Sequence, residues 1–148
     1  MEQEKHHVFV RWQGGRTLTF DGFTHSGYRL VLDAAPPLGQ GEGARPMELL
    51  ITGLAGCTAM DVLSILWKKR EPVQGFEVHV EGVRATEHPR VYVEIEVLYR
   101  VFGEVSVDSV ERAIQLSVER YCGANAMLRE VAHITHRYEI LAASQAVT

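Results

Sequence analysis

The stretch that decides the fold is residues 46–70, PMELLITGLAGCTAMDVLSILWKKR. Proline is favoured at the first position of a helix, and no second proline follows within the stretch. Its middle is apolar on nearly every side, and a helix of that kind is usually buried. At 1.5 Å per residue it is roughly 36 Å long. A small domain alone would struggle to cover such a helix, so the sequence predicts a buried central helix and favours a dimer.

Length and composition indicate an ordinary soluble domain. The chain has 148 residues, 46% of them apolar and 23% charged, with a net charge of −4. One domain over residues 1–148 is therefore predicted, and the negative charge argues against nucleic acid as a partner. The uncharged apolar stretch from Leu49 to Met60 is too short to span a bilayer, and residues 1–7 contain no apolar signal core. We therefore predict a cytoplasmic protein with no membrane partner.

Strand patterns lie on both sides of the long helix. Before it, three short strand-like runs occupy residues 7–13, 16–20 and 28–32, and glycine-containing turns separate them. After it, apolar residues alternate with polar ones over residues 76–81 and 91–101. Alternation with a period of two predicts two long strands that form a β-hairpin with one face in water.

The C-terminal third combines helices with one more strand. Asp108 and Glu111 resemble a capping box at the start of a helix that continues to Tyr121. A break at residues 122–123 precedes a short helix, and apolar residues then alternate over residues 134–140. Because strands and helices do not follow one another in a βαβαβ order, the predicted class is α+β.

Cys57 and Cys122 are the two cysteines of the chain. They are 65 positions apart, so their spacing indicates neither a CxxC motif nor a zinc site. Cys57 lies within the apolar helix, where a cysteine often packs as a small hydrophobic residue. Cys122 lies at the start of a predicted helix, where exposed amides favour a thiolate. Thiols in the cytoplasm are normally reduced, and this pair is compatible with transient disulfide chemistry in which one attacks and the other resolves.

Carboxylates and imidazoles offer possible partners for the thiols. Asp61 lies four residues after Cys57, on the same helical face, and a buried carboxylate there needs a partner. Glu48 either stabilises the helix dipole from the first turn or has a functional role. His133 and His136 are three apart on a predicted strand and therefore lie on opposite faces, which disfavours a shared metal site. We predict no bound metal.

The segments around the two cysteines resemble the OsmC/Ohr family, named for osmotically inducible protein C and organic hydroperoxide resistance. Residues 45–50 and 53–62 resemble its first-cysteine helix, and residues 116–122 resemble its second-cysteine segment. The similarity is strongest to the YhfA-like, OsmC-related branch and extends from about Val8 to the last strand. It implies an intertwined homodimer in which long cysteine-bearing helices lie at the centre, wrapped by antiparallel sheets, with active sites at the interface.

The resemblance also implies a reaction. In peroxidases of this family, the first cysteine attacks an organic hydroperoxide, becomes a sulfenic acid and releases an alcohol. The second cysteine then forms a disulfide, which a dithiol such as dihydrolipoamide reduces. These roles carry over to Cys57 as the attacking thiol and Cys122 as the resolving thiol. Arg16 resembles the arginine that stabilises the thiolate, and Arg11 and Arg45 are rivals for that role.

A glutamate orients the arginine in this family, and Glu48 is the candidate here. The family glutamate usually follows the proline directly, at the position of Met47, and Gly123 stands where proline commonly follows the second cysteine. The leading hypothesis is a thiol-dependent peroxidase that reduces organic hydroperoxides in oxidative-stress defence, with no cofactor beyond the dithiol. The alternatives are a non-catalytic binding protein with an apolar cleft at the dimer interface, and a redox sensor.

Overall fold

A computed structural model describes residues 1–145 of the chain. It divides into two compact units, residues 1–50 and a second unit that begins at Ile51. Helix α1, Pro46–Lys68, begins in the first unit and continues into the second. Its bounds agree with the helix predicted over residues 46–70. The prediction of a single domain over the whole chain stays a prediction.

The first unit contains a three-stranded antiparallel sheet of β1, β2 and β3 in that order. The strands are Phe9–Trp12, Phe20–Phe23 and Arg29–Leu32. The strand predicted over residues 16–20 was wrong, because β2 begins only at Phe20. Gly14 and Gly15 have φ angles of 92° and 77°, a left-handed conformation that glycine adopts easily. Two such residues in succession extend the turn and delay the strand.

The second unit contains a sheet of β4, β5 and β6 in that order. These strands are Gly75–Arg84, Tyr92–Phe102 and His133–Leu141. The antiparallel pairing of β4 with β5 confirms the predicted hairpin. The α+β class is also confirmed, but the expectation of antiparallel sheets throughout needs correction, because β6 runs parallel to β5. A parallel pair needs a crossover connection, and the helices between β5 and β6 supply it.

That crossover consists of helix α2, Val107–Leu116, a π-helical turn, Ser117–Tyr121, and helix α3, Gly123–Leu128. The predicted capping box was wrong. Ser106 caps α2 and accepts a hydrogen bond from the Ser109 amide at 3.4 Å. A serine one residue before the helix is a favourable cap because its oxygen satisfies an otherwise unpaired amide.

One stripe of α1 forms part of the core of the second unit. Its fully buried residues are spaced four apart: Leu54, Thr58, Val62 and Leu66. The prediction of burial on all sides is not met within this chain, since Met60 and Trp67 are 75% and 65% exposed.

By length and composition alone, α1 could also cross a membrane. An 18-residue window within the helix has a mean hydropathy of 1.9, and 22% of that window is buried. The sequence estimate stopped at Met60 because Asp61 interrupts the uncharged run, whereas the helix carries its apolar character further. One such helix is weak evidence for a membrane span, because the core helix of a soluble protein has the same length and composition. The cytoplasmic location stays a prediction.

Replacement of Leu66 by alanine tests the buried stripe. Leu66 is fully buried, so Leu66→Ala should lower the free energy of unfolding by about 2–5 kcal/mol. The same change at Leu38, which is 64% exposed, should cost less than about 1 kcal/mol. Urea denaturation followed by circular dichroism measures both values, and equal losses at the two positions would contradict the assigned core.

Candidate functional site

The fold of the second unit brings the two cysteines together. The sulfur atoms of Cys57 and Cys122 and a carboxylate oxygen of Asp61 all lie within 4.8 Å of one another. Helix α1 presents Cys57 and Asp61 one turn apart. Cys122 lies at the junction between the π-helical turn and α3, where the Cys122 amide donates to the Ser117 carbonyl at 2.8 Å. A separation of 65 residues in sequence thus becomes a direct neighbourhood.

The two thiols differ in their surroundings. Cys57 is partly exposed and Cys122 is buried. Burial raises the pKa of the Cys122 thiol to about 11, although a hydrogen bond from the Asn125 amide, at 3.3 Å, acts in the opposite direction. The neighbouring Cys57 and Asp61 raise this pKa further. The expectation that a helix start keeps Cys122 as a thiolate is therefore outweighed by desolvation, and Cys122 is a protonated thiol at neutral pH.

A series of buried hydrogen bonds extends from Asp61 into the second unit. The Ser117 hydroxyl donates to Asp61 Oδ2 at 2.9 Å. Thr58 Oγ1 lies 2.8 Å from Ser117 Oγ and 2.7 Å from the Tyr99 hydroxyl. Thr58, Tyr99 and Ser117 are all fully buried. Each of these buried hydroxyls thus has hydrogen-bond partners, as a buried polar group requires.

The hydrogen-bonded path continues from Tyr99 towards Cys122. The Tyr99 hydroxyl lies 3.0 Å from His136 Nδ1, and His136 Nε2 lies 3.2 Å from Asn125 Oδ1. The backbone amide of Asn125 donates to the sulfur of Cys122. Hydrogen bonds thus connect Asp61 to the Asn125 side chain through the interior of the second unit, and the Asn125 backbone contacts Cys122.

Burial sets the ionisation of two members of this path. It raises the pKa of Tyr99 to about 12, so the phenol keeps its proton at neutral pH. Burial also lowers the pKa of His136 below its ordinary value of 6.5, which favours a neutral imidazole. His133 is exposed on the opposite face of β6, as the spacing of three predicted.

Sequence reasoning missed most of these residues. His136 entered it only as a possible metal ligand. Thr58, Tyr99 and Asn125 were not singled out, although each places a polar group on an otherwise apolar face or at a helix start. A hydroxyl within the buried stripe of α1 was the available signal, because a buried hydroxyl needs a partner on another element.

The three groups around Cys57 are also the donors that could hold a metal ion. They supply two sulfurs and one carboxylate oxygen, and no histidine among residues 1–145 belongs to the group. A structural zinc site usually has four protein ligands, and a catalytic one has three. The prediction of no bound metal stays a prediction.

The two helper residues predicted beside Cys57 belong to the first unit. Arg16 lies exposed in the turn between β1 and β2. The Glu48 carboxylate accepts a hydrogen bond from the Arg45 amide at 3.0 Å. This contact joins the third helical residue to the residue before the helix, the reciprocal half of a capping box. A structural role of Glu48 in starting α1 is therefore visible, and the roles of Arg16 and Glu48 at the thiol stay predictions.

The rival arginines have contacts of their own within the first unit. The Arg45 guanidinium donates to the Gly43 carbonyl at 2.9 Å. The Arg11 guanidinium lies 5.5 Å from the centre of the Phe9 ring and 5.8 Å from that of Phe23, within the range of a cation–π contact. These contacts give both arginines a structural role within the first unit.

Two cavities of the second unit reach the hydrogen-bonded path. One of about 450 Å³ is lined by Asp61, Ser64, Ile65, Lys68, Lys69, Leu116 and Tyr121. Another, of about 280 Å³, is lined by Glu111, Ile114, Gln115, Val118, Glu119, His136 and Tyr138. The path therefore meets a cavity at Asp61, beside the thiols, and another at His136.

A model of the OsmC-like protein family matches residues 39–137, which include both cysteines and the whole hydrogen-bonded path. The chain belongs to this family. It is similar to Protein YhfA of Escherichia coli (strain K12), with 39% identity over 136 residues that cover 90% of this chain and 97% of YhfA. The predicted resemblance to the OsmC/Ohr family is thereby confirmed.

Comparison with solved structures also gives the OsmC-like fold. A hypothetical protein from Aquifex aeolicus VF5 is similar with a TM-score of 0.83 and 30% identity, over 95% of this chain and 98% of that protein. An organic hydroperoxide resistance protein from Elizabethkingia anophelis has a TM-score of 0.68 and 13% identity, over 95% of this chain and 97% of its own. At that identity the second likeness concerns the fold alone.

Alkylation by iodoacetamide tests the state of Cys122. Because burial raises the Cys122 pKa to about 11, its alkylation rate should still increase above about pH 10, where a free cysteine with a pKa near 8.5 has levelled off. Site-resolved mass spectrometry measures the rate in reduced protein, with glutathione as the reference thiol. If the alkylation rate of Cys122 has its pH midpoint at or below that of glutathione, the assignment is contradicted.

Proposed function

We propose that this OsmC-like protein is a thiol-dependent peroxidase that reduces organic hydroperoxides in oxidative-stress defence. The observation that carries the proposal is the approach of Cys57, Cys122 and Asp61 within 4.8 Å. Thiols this close can form a disulfide without a large movement of either sulfur, since only the short distance between them remains to be closed. Structural neighbours that are organic hydroperoxide resistance proteins support the choice of oxidant.

The division of roles follows from exposure. Cys57 is partly exposed, whereas Cys122 is buried and protonated at neutral pH. Since a thiolate is the attacking species and needs access to its substrate, Cys57 attacks the terminal oxygen of the hydroperoxide. The oxygen–oxygen bond breaks, an alcohol leaves, and Cys57 becomes a sulfenic acid. Cys122 then attacks this sulfur, and a disulfide and water are formed.

Other components complete the proposal. A dithiol such as dihydrolipoamide returns the disulfide to two thiols by thiol–disulfide exchange, so no cofactor is required. Arg16, oriented by Glu48, stabilises the Cys57 thiolate through its fixed positive charge. Arg11 and Arg45 are the alternative candidates for the positive charge that stabilises the Cys57 thiolate.

A homodimer is part of the proposal. Met60 and Trp67 are 75% and 65% exposed on α1, and large apolar side chains in water indicate an interaction surface. A side chain added at Gly53 or Gly56 would meet nothing within 4 Å in the described part of the chain. Glycine inside a helix is unfavourable by roughly 1 kcal/mol, and a second α1 packed closely against these positions offsets that cost.

Peroxide consumption tests the activity. The wild-type protein with a dithiol should consume cumene hydroperoxide faster than hydrogen peroxide, and Cys57→Ser should abolish this turnover because it removes the nucleophile. Cys122→Ser should keep a first turnover and then stop, since its sulfenic acid has no resolving thiol. Stopped-flow absorbance measures the rates.

The peroxidase proposal has a clear contrary result. Consumption no faster than that of free glutathione, or an unchanged rate in Cys57→Ser, contradicts it. Arg16→Lys and Arg16→Ala form a matched pair for the helper, because lysine keeps the charge and loses the planar guanidinium. Equal activity of wild type and Arg16→Ala would contradict the role of Arg16 at the thiolate.

Molar mass in solution tests the homodimer. Size-exclusion chromatography with light scattering should give twice the 16.6 kDa of one chain. Met60→Glu should shift the protein towards the monomer, because it places a charge on the apolar surface of α1. Met127 is 73% exposed on α3, so Met127→Glu is the matched control and should leave the dimer intact. A monomeric wild type would contradict the proposal.

A further inference from the structure

The path from Asp61 to His136 has few ways of arranging its protons. Ser117, Thr58 and Tyr99 each carry one hydroxyl proton, and each hydroxyl lies between two neighbours of the path. A hydroxyl that donates to one neighbour accepts from the other. Once one end of the path is set, all three hydroxyls therefore point in the same direction.

A hydrogen bond to the Val118 carbonyl fixes the orientation of the Asn125 side chain beside His136. The Asn125 Nδ2 group donates to Val118 O at 3.4 Å, so Asn125 turns its Oδ1 atom towards His136 Nε2. An amide oxygen only accepts hydrogen bonds, and His136 Nε2 therefore carries a proton. His136 Nδ1, which faces Tyr99, is left to act either as donor or as acceptor.

Two arrangements then satisfy every contact. In the first, an ionised Asp61 accepts from Ser117, all hydroxyls donate towards Asp61, and a doubly protonated His136 donates to Tyr99. In the second, a protonated Asp61 donates to Ser117, all hydroxyls donate towards His136, and a neutral His136 accepts. Both arrangements contain the same number of protons and differ by one shift along each bond.

We propose that this path is a proton relay for the thiol pair, in which Asp61 exchanges a proton with Cys122 and the three hydroxyls connect Asp61 to His136. The relay rests on the proposed peroxidase function for its oxidant. It adds a catalytic residue, Asp61, which lies beside both sulfurs, and a positioning residue, His136, which acts through Tyr99.

The relay has its use in the resolving step. The Cys122 sulfur forms a bond to the Cys57 sulfur while the sulfur–oxygen bond of the Cys57 sulfenic acid breaks. The proton of Cys122 passes to Asp61 in the first arrangement, in which the path has placed its own proton on His136, and the leaving hydroxide takes that proton from Asp61 and departs as water. Cys122 sulfur is oxidised and Cys57 sulfur is reduced by the same electron pair, so no further oxidant is needed. A buried thiol that keeps its proton at neutral pH requires such a base.

Charged side chains lie near both ends of the path. Asp61 faces Cys57, Cys122 and Ser117 and shares its cavity with Lys68, Lys69 and Tyr121. His136 faces Tyr99 and Asn125 and shares its cavity with Glu111, Glu119 and Tyr138. Burial of the imidazole favours the neutral form of His136 and with it the second arrangement.

A disulfide exchange assay tests the relay without any peroxide. When reduced protein is mixed with the neutral reagent dithiodipyridine, the attack of Cys57 releases one thiopyridone. The attack of Cys122 on the mixed disulfide then releases a second. Stopped-flow absorbance separates the two releases, and only the second requires the Cys122 proton to leave.

Tyr99→Phe removes one hydroxyl from the relay and keeps the ring. The second release should slow about tenfold, lose the step in its pH profile below 6.5 that follows His136, and show a smaller solvent isotope effect, while the first release stays within about twofold of wild type. Asp61→Asn should slow the second release by roughly 10²-fold. Tyr138→Phe is the matched control, because the Tyr138 hydroxyl donates to Glu111 outside the relay, and it should behave as wild type.

A second pair separates the relay from a structural role. His136→Gln should remove the step in the pH profile of the second release below 6.5, whereas His133→Gln, on the opposite face of β6, should leave that profile unchanged. Where Tyr99→Phe fails to fold, Thr58→Val interrupts the same path and should have the same effect.

The results distinguish the relay from the peroxidase proposal. A folded Tyr99→Phe or Thr58→Val protein with wild-type rates, pH profile and isotope effect overturns the relay. If the wild type consumes no hydroperoxide, yet Tyr99→Phe selectively slows the second release, the relay stands and the peroxidase proposal fails.

Discussion

A buried hydroxyl must have hydrogen-bond partners, and Thr58 is where this constraint organises the second unit. Thr58 is fully buried in the stripe of α1, and its hydroxyl contacts Tyr99 on β5 and Ser117 at the start of the π-helical turn. Without these partners the hydroxyl would be unfavourable by roughly 1–3 kcal/mol. One side chain therefore ties three elements together, and Cys57 is its neighbour in sequence.

The position of the second thiol follows from the same contacts. Ser117 begins the turn, and its carbonyl accepts from the Cys122 amide at the other end of that turn. The ties of Ser117 to Thr58 and Asp61 thus hold the turn against the helix that carries Cys57. Desolvation raises the pKa of Cys122, so the geometry that brings the sulfurs together also leaves this thiol protonated at neutral pH.

Local patterns predicted most elements, and the errors lie in one turn, one helix cap and the direction of one strand. The long helix and the hairpin had strong periodic signals, and both lie close to their predicted bounds. The strand over residues 16–20 was displaced by two glycines in a left-handed conformation. Ser106 caps α2 because its side-chain oxygen lies directly before the helix and accepts a hydrogen bond from a helical amide. Parallel pairing of β6 was not predictable, because strand direction depends on the path of the crossover.

The sequence by itself determined the α+β class, the cysteine-bearing helix and the family, since these depend on periodicity and on local motifs around Cys57 and Cys122. Only the tertiary structure decided that Asp61 lies beside both sulfurs and that Tyr99 and His136 continue its hydrogen bonds. The reason is physical. A periodic pattern reports which face of an element is apolar, whereas a hydrogen-bonded path depends on distances between elements, and these are set only when the core is packed.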